Sequence, residues 1–190
     1  CLYQPIPYEK QLAIKEKQVR SLLDAVCPEY EFEGILGSPL VQGYRNKMEF
    51  SFGDEVKDGP MSLGMHKRGS FYDVVTTDEC HIVHPDFCKI LVCTKEYFEE
   101  KKVGFYKKMQ HTGYLRHLLV RRAIKTGEIL VDLITTTQTD TFEGTEEALL
   151  RGWTERLQAL PMEGSFAGIL HTKNDTLADA VKDEGTDILF

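Results

Sequence analysis

From Met48 to Phe52 apolar residues alternate with polar ones, which is the period of a strand with one buried face. Arg45 and Lys47 stand at the start of this stretch. A second short strand is predicted over 62–66, and it runs into the cationic cluster His-Lys-Arg at 66–68. If the two strands form a hairpin, both sets of cations lie at one rim of a sheet. A solvated strand edge protected by lysine also accounts for these charges, so the pattern alone leaves both interpretations open.

The apolar spacing along the rest of the chain predicts a mixed architecture. An apolar stripe predicts an amphipathic helix from Tyr8 to Val26, which Cys27-Pro28 ends. Two more helices are predicted, from Pro85 as far as Gly104 and from Thr145 to Pro161. The remaining predicted strands are 29–41, 74–82, 114–121, 129–135, 166–171 and 186–190. Hairpin, helix and strand follow one another in the second half, so the predicted fold class is α+β, a largely antiparallel sheet with flanking helices and no Rossmann domain.

Length and composition set broad limits. The 190 residues suffice for one domain or two small ones, with 1–104 and 105–190 as possible sub-units. No apolar run approaches the roughly 20 residues of a membrane span, and no signal peptide opens the sequence, so we expect no membrane partner. Five cysteines without short repeated spacing indicate a reducing, cytoplasmic setting.

Charge is unevenly distributed along the chain. The net charge of −7 by itself speaks against binding to nucleic acid. However, residues 101–125 contain eight Lys or Arg and no acid, whereas residues 128–190 contain thirteen acids and four basic residues. This asymmetry indicates one polyanion-binding side on an otherwise acidic body. A basic helix end followed by a strand, both merely solvated, is the competing explanation.

Several motifs resemble those of the RNA (uracil-C5-)-methyltransferases, the S-adenosylmethionine-dependent enzymes that form 5-methyluridine in ribosomal and transfer RNA. The most specific are Tyr-Arg-Asn-Lys at 44–47 and Gly-x-His-Lys-Arg at 64–68, followed by a lone Cys80. Further stretches that look like the family are Leu-Arg-His at 115–117, Gly-Glu-Ile-Leu-Val at 127–131 and His-Thr-x-Asn-Asp at 171–175. Each motif is short, but together with the similar stretches from Cys1 to Lys15 and at 187–189 they cover the chain from end to end in the family's order.

The resemblance implies two cofactors. Family members bind S-adenosylmethionine in a Rossmann-like domain that follows this region and supplies the nucleophilic cysteine and the general-base glutamate. We therefore expect the chain to be the central, RNA-binding part of such an enzyme, to contain no catalytic residue and to be inactive by itself. Members also hold a 4Fe–4S cluster through four cysteines, of which Cys1 and Cys80 match the third and fourth. Because two ligands are missing, the cluster is expected in the full-length parent and not intact in this chain.

The same resemblance, together with the charge pattern, nominates an RNA-binding site. Its predicted members are Tyr44, Arg45, Lys47, His66, Lys67, Arg68, Arg116, Arg121 and Arg122. The cations are expected to contact phosphates or bases, while Tyr44 and His66 stack on an unpaired base or hydrogen-bond to it. On a regular strand Arg121 and Arg122 point to opposite faces, so at most one of them should face the RNA. We expect ribosomal RNA rather than transfer RNA, and no DNA.

Two other functions remain open from the sequence. A stand-alone RNA-binding or iron–sulfur accessory module would carry the same motifs without catalysis. A metabolic α+β enzyme would use the basic strand for a phosphorylated substrate. Salt-sensitive RNA binding that is lost on Arg45→Ala or Arg68→Ala argues against the metabolic enzyme.

Overall fold

The computed structural model describes residues 3–27, 29–177 and 185–190. The chain divides into two compact units, Cys1–Val41 and Gln42–Phe190. The first unit contains helix α1 (Tyr8–Val26), which has the bounds that the apolar stripe predicted. The strand predicted over 29–41 is wrong, since the described residues there form no strand. Gly34 has a positive φ of 107°, and Pro39 lacks the backbone N–H that a sheet ladder needs.

The second unit is built on one sheet. Its described strands are β1 (Lys47–Asp54), β2 (Met61–His66), β3 (Val74–Thr76), β4 (Leu115–Arg122), β5 (Glu128–Thr135), β6 (Ser165–Lys173) and β7 (Thr186–Ile188). They lie in the order β3-β2-β1-β4-β5-β6-β7. Every described pairing is antiparallel except that of β5 with β6, which is parallel. The predicted class was α+β with a largely antiparallel sheet, and a mixed α/β fold with one sheet and flanking helices is confirmed.

Two further helices are α2 (Pro85–Glu100) and α3 (Glu146–Gln158), and a short 3₁₀ turn covers Thr139–Thr141. Each helix begins where the sequence provides a cap. His84 Nδ1 accepts the N–H of Asp86 at 3.2 Å, and Pro85 occupies the first helical position. Thr145 Oγ1 accepts the N–H of Ala148 at 3.3 Å. No helix within the described residues is long and apolar enough to cross a membrane.

Aromatic side chains join the sheet to both of these helices. The Phe98 ring of α2 lies 6.2 Å from the Phe52 ring of β1 and 6.0 Å from the Trp153 ring of α3, measured between centroids. Trp153 is fully buried and donates its indole N–H to Thr94 Oγ1 at 3.1 Å. Burying each large side chain contributes about 2–3 kcal/mol. The helices therefore cover one face of the sheet, the face on which Phe52 lies.

The possible sub-unit boundary after residue 104 does not match this architecture. β1 precedes that point and β4 follows it, yet they pair from Lys47 with Arg121 to Ser51 with His117. The compact units divide instead between Val41 and Gln42. A central sheet that takes strands from both sides of residue 104 cannot be cut there without exposing its core.

Candidate nucleic-acid interface

The β1–β2 hairpin brings two sets of cations to one end of the sheet. The strands pair antiparallel, so the start of β1 and the end of β2 lie side by side, as the sequence predicted. The pairing of β1 with β4 adds Arg121, which stands directly opposite Lys47. We call the exposed cations at this end the basic rim: Arg45, Lys47, His66, Lys67, Arg68 and Arg121. Lys125, which was not among the predicted site residues, is exposed in the β4–β5 turn at the same end.

The segment that leads into β1 is held in place by its backbone. Gly43 adopts a positive φ of 63°, which an L side chain rarely does, and donates its N–H to His81 O at 2.9 Å. Arg45 donates its backbone N–H to Ile82 O at 2.9 Å and its Nε to Lys47 O at 3.1 Å. The Tyr44 side chain between them is 50% exposed. Tyr44 and Arg45 are therefore presented to solvent from a fixed backbone.

The basic rim concentrates positive charge, with the exposed Glu49 of β1 on the same strand face as Lys47. Lys47 and Arg121 are both exposed and stand directly opposite each other on the neighbouring strands β1 and β4. Because their charges are alike, this pairing lowers the stability of the fold. In the part of the chain that the structure describes, no carboxylate forms an ion pair with Arg45, Lys47 or Arg121. Such a surface suits a polyanion, whose phosphates remove the repulsion.

Arg121 and Arg122 differ as the strand alternation predicted. Arg121 is exposed, whereas the Arg122 side chain is only 17% exposed and its Nη2 lies 4.0 Å from Glu163 Oε1. The Nε of Arg122 is buried without a hydrogen-bond partner. Arg121 is thus the member of the pair that is available to a ligand.

Arg116 does not fit the role predicted for it. It is 4% exposed, and its Nη1 donates to the carbonyls of Asn174 at 2.6 Å and Thr176 at 2.7 Å. Its guanidinium carbon lies 4.7 Å from the centroid of the Tyr106 ring. The strand register shifts between Leu115 and His117, and such a bulge redirects the side chain at that point. Arg116 therefore ties the segment after β6 to Tyr106 instead of facing solvent.

A buried polar cluster lies where β5 and β6 end. Tyr114 donates its hydroxyl to Glu146 Oε1 at 3.0 Å, and His171 Nε2 lies 2.8 Å from Thr135 Oγ1. Thr135 Oγ1 also lies 3.0 Å from Thr136 O, so this hydroxyl lies between the imidazole and the backbone. Burial lowers the pKa of His171 and raises the pKa of Tyr114. Both groups are therefore neutral at pH 7 and hold the end of the sheet together.

The described residues do not fit the expected 4Fe–4S cluster. Cys1 lies outside them, so its predicted pairing with Cys80 is not described. Cys80, Cys88, Cys93 and Cys27 are free thiols, and burial raises the pKa of Cys88 and Cys93, which favours the protonated form. No group of three or more metal-binding side chains occurs in 3–27, 29–177 and 185–190. A cluster normally takes four thiolates, and we derive no chemistry through it.

The described residues do not provide a site for S-adenosylmethionine either. In open parallel sheets nucleotide cofactors bind outside the carboxyl ends of neighbouring parallel strands. Among the described strands only β5 and β6 are parallel neighbours. The buried side chains of Tyr114, Thr135 and His171 fill that end. We therefore assign no described residue to this cofactor.

Comparison with known proteins reveals close relatives. No protein-family model matches the sequence. An RNA methyltransferase of Clostridium acetobutylicum, named as uncharacterised, is 49% identical over 191 residues, which cover 100% of this chain and 40% of that protein. A second, from Caldanaerobacter subterraneus, is 44% identical and covers 100% of this chain and 41% of its own length. The tRNA (uracil(54)-C(5))-methyltransferase of Pyrococcus furiosus is 30% identical over 135 residues, 71% of this chain and 29% of that enzyme.

The fold has a solved neighbour. The crystal structure of the Pyrococcus abyssi tRNA (uracil-54, C5)-methyltransferase in complex with S-adenosyl-L-homocysteine superposes with a TM-score of 0.63 at 24% identity. The match covers 97% of this chain and 38% of that one. The chain thus spans about two fifths of the length of the relatives that align with all of it.

These comparisons correct one expectation. The chain was expected to be an inactive fragment without the catalytic part of a methyltransferase. Its whole length, however, aligns with proteins named RNA methyltransferases, and nearly all of it superposes on a methyltransferase crystallised with S-adenosyl-L-homocysteine. Because the entire chain aligns with proteins of that name, the expectation of an inactive fragment is withdrawn.

The motifs, the sequence relatives and the fold agree on one assignment. The motifs at 44–47 and 64–68 lie in the segment that forms the basic rim. The relatives that align with the entire chain carry names of the same enzyme class. This chain therefore belongs to the RNA methyltransferase family that includes the tRNA (uracil-54, C5)-methyltransferases.

Proposed function

We propose that this chain binds the RNA substrate of an S-adenosylmethionine-dependent uracil-C5 methyltransferase, and that the basic rim is the surface that holds the RNA backbone. The observation that carries the proposal is the register of Lys47 opposite Arg121. Two like charges at that position cost stability unless a polyanion lies across them. The kinship with RNA methyltransferases supports RNA as that polyanion.

The rim is suited to the backbone more than to base identity. Its cations are long, exposed side chains at the end of a sheet. An arginine can bind a phosphate through two parallel hydrogen bonds. Tyr44 adds an exposed aromatic ring on which an unpaired base can stack. We assign phosphate contacts to Arg45, Lys47, Arg68 and Arg121, and none to the half-buried Arg122.

RNA binding at increasing salt tests the proposal. Replacing Arg45, Arg68 or Arg121 by alanine is expected to lower the affinity roughly tenfold, because a hydrogen bond to a charged group is lost. Each replacement should also reduce the slope of log K against log salt by about 0.7–0.9. Fluorescence anisotropy with labelled RNA measures both quantities.

The matched control is Arg151→Ala. Arg151 is an exposed arginine on α3, and its Nη1 lies 3.9 Å from Glu147 Oε1. Its loss should leave the affinity and the salt slope unchanged. If the rim variants behave like this control, the basic rim is not the RNA surface.

The identity of the RNA is a separate question. Two relatives whose names specify a substrate, from Pyrococcus furiosus and Pyrococcus abyssi, are tRNA enzymes, so we take transfer RNA as the first candidate and ribosomal RNA as the second. The protein that contains this chain is incubated with S-adenosylmethionine and either transcript, and the nucleosides are analysed for 5-methyluridine. Formation in one transcript identifies the substrate. Binding of RNA without 5-methyluridine in either contradicts the methyltransferase and favours an RNA-binding module.

A further inference from the structure

A cavity of about 430 Å³ opens on the face of the sheet opposite α2 and α3. Ser51 and His117 of the neighbouring strands β1 and β4 form its floor, with Ser51 Oγ 3.3 Å from His117 Nδ1. Ser51 stands between two phenylalanines that face the helices, so it points the other way. His66 lines the cavity and also belongs to the basic rim, so the two are continuous.

One wall of the cavity is a loop that is fixed before any ligand arrives. Tyr106 donates its N–H to Leu115 O at 2.8 Å, and Lys107 donates its N–H to Thr112 O at 2.7 Å. The guanidinium of Arg116 lies over the Tyr106 ring, and the Tyr106 hydroxyl is 3.0 Å from His111 Nδ1. The buried arginine therefore positions an aromatic wall.

An exposed aromatic ring, that of Tyr72, also lines the cavity. Tyr72 is 56% exposed although its backbone is held in a tight turn, in which Ser70 Oγ accepts the N–H of Asp73 at 3.1 Å. Next to it Phe71 is 74% exposed, with Lys108 Nζ 5.6 Å from its ring centroid. Exposed aromatic rings beside cations are the platforms on which proteins stack the bases of single strands.

The charges that line the cavity favour a base over a phosphate. Three lysines (57, 107 and 108) are matched by three aspartates (54, 58 and 73). Lys107 Nζ and Asp58 Oδ1 already pair at 2.8 Å. A balanced lining does not attract an anion, but carboxylates, a hydroxyl and an imidazole can hydrogen-bond to the edge of a base. The volume lies within the roughly 300–1,000 Å³ of small-ligand pockets.

We propose that this cavity binds the base of one unstacked nucleotide of the RNA whose backbone lies on the basic rim. The inference rests on the proposed function, since it presumes that RNA binds at the rim. His66 joins the two surfaces, so a strand that crosses the rim can turn one base between Tyr72 and Tyr106. This cavity therefore recognises RNA by stacking, at a position other than the phosphate contacts.

Two hairpin RNAs that differ by a single base test the inference. One carries a one-nucleotide bulge, and the other has an abasic residue at the same place. The protein should bind the first about tenfold more tightly, because one base–aromatic stack is lost in the second. Tyr72→Ala should abolish this preference and Tyr72→Trp should retain it, whereas Arg121→Ala should weaken binding to both RNAs equally.

The outcomes separate the two proposals. Equal affinity of the wild-type protein for both hairpins overturns the cavity assignment and leaves RNA binding at the rim intact. Failure to bind either hairpin overturns the proposed function, and the cavity assignment with it. Photo-cross-linking of 4-thiouridine in the bulge needs no variant, and adducts are expected on Tyr72 or Tyr106. Adducts confined to peptides outside 51–117 contradict the proposal.

Discussion

Asp86 is a buried carboxylate that ties the start of α2 to the loop before β6. Its side chain is 1% exposed, and it accepts the N–H groups of Glu163 at 3.1 Å and Gly164 at 2.9 Å. Burial, the largest influence, raises its pKa, but the N–H donors of Gly164 and Glu163, with help from His84 and Lys89, outweigh it and lower the pKa of Asp86. A folded pKa below the unfolded one means that this stabilisation is present above about pH 4 and is lost as the pH falls further.

Asp86→Asn should therefore lower the stability of the protein at pH 7 and make that stability less dependent on pH in the acid range. The neutral amide replaces one acceptor by a donor and leaves one backbone N–H without a partner. We expect the free energy of unfolding at pH 7 to fall by about 2 kcal/mol, and the difference from wild type to shrink below pH 4. Urea denaturation at pH 7, 5 and 3.5 measures this. The exposed Asp140→Asn serves as the control, and a difference from wild type that stays constant with pH contradicts the argument.

At this scale the sequence distinguishes residue types but not their environments. Arg116 and Arg121 are both strand arginines in a basic run, and the same reasoning nominated both. The bulge between Leu115 and His117 buries the first and leaves the second in register with Lys47. A bulge depends on the partner strand, which residue spacing does not encode.

Gly113 controls the shape of the loop that joins α2 to β4. It adopts a φ of 119°, and a Cβ there would overlap the backbone of Phe105. Its carbonyl accepts the Thr136 hydroxyl at 2.7 Å, which fixes the loop against the end of β5. The loop that carries Tyr106 and Lys107 thus depends on one position without a side chain.

Gly113→Ala is expected to lower the free energy of unfolding by about 3 kcal/mol, because it adds a clash to an unfavourable backbone conformation. Gly144→Ala is the matched control. Gly144 has a φ of 93° but no neighbour within 4 Å of a built Cβ, so about 1 kcal/mol is expected there. Thermal or urea denaturation compares the two. Equal losses would show that the close approach to Phe105 does not matter.

Elements with a clear apolar period could be predicted, and those defined by distant partners could not. The bounds of α1, β1 and β2 follow from local spacing and agree with the structure within two residues. Only Val74–Thr76 of the predicted 74–82 strand pairs with β2. The parallel pairing of β5 with β6 fits the crossover through α3, but the sequence analysis did not predict it from that strand–helix–strand order.

Stability should be distributed unevenly over the whole molecule. α1 contains no buried residue, whereas β4 and β5 each contain five buried residues. Hydrogen exchange followed by mass spectrometry should therefore show amides of α1 exchanging orders of magnitude faster than those of β5. An amphipathic helix whose apolar stripe is exposed to water, with no packing against other elements, is only marginally stable. Equal protection of α1 and β5 would mean that the stripe is covered in solution.

The separation of charge has a kinetic consequence. A molecule with a net charge of −7 that carries the basic rim at one end of its sheet has an uneven charge distribution. An approaching polyanion is repelled by most of the surface and attracted by one end, so encounters are oriented before contact is made. Added salt then lowers the association rate constant more than it raises the dissociation rate constant. A polyanion that approaches the protein in another orientation diffuses away without binding. The acidic remainder of the chain thereby limits the directions from which a long strand can be captured.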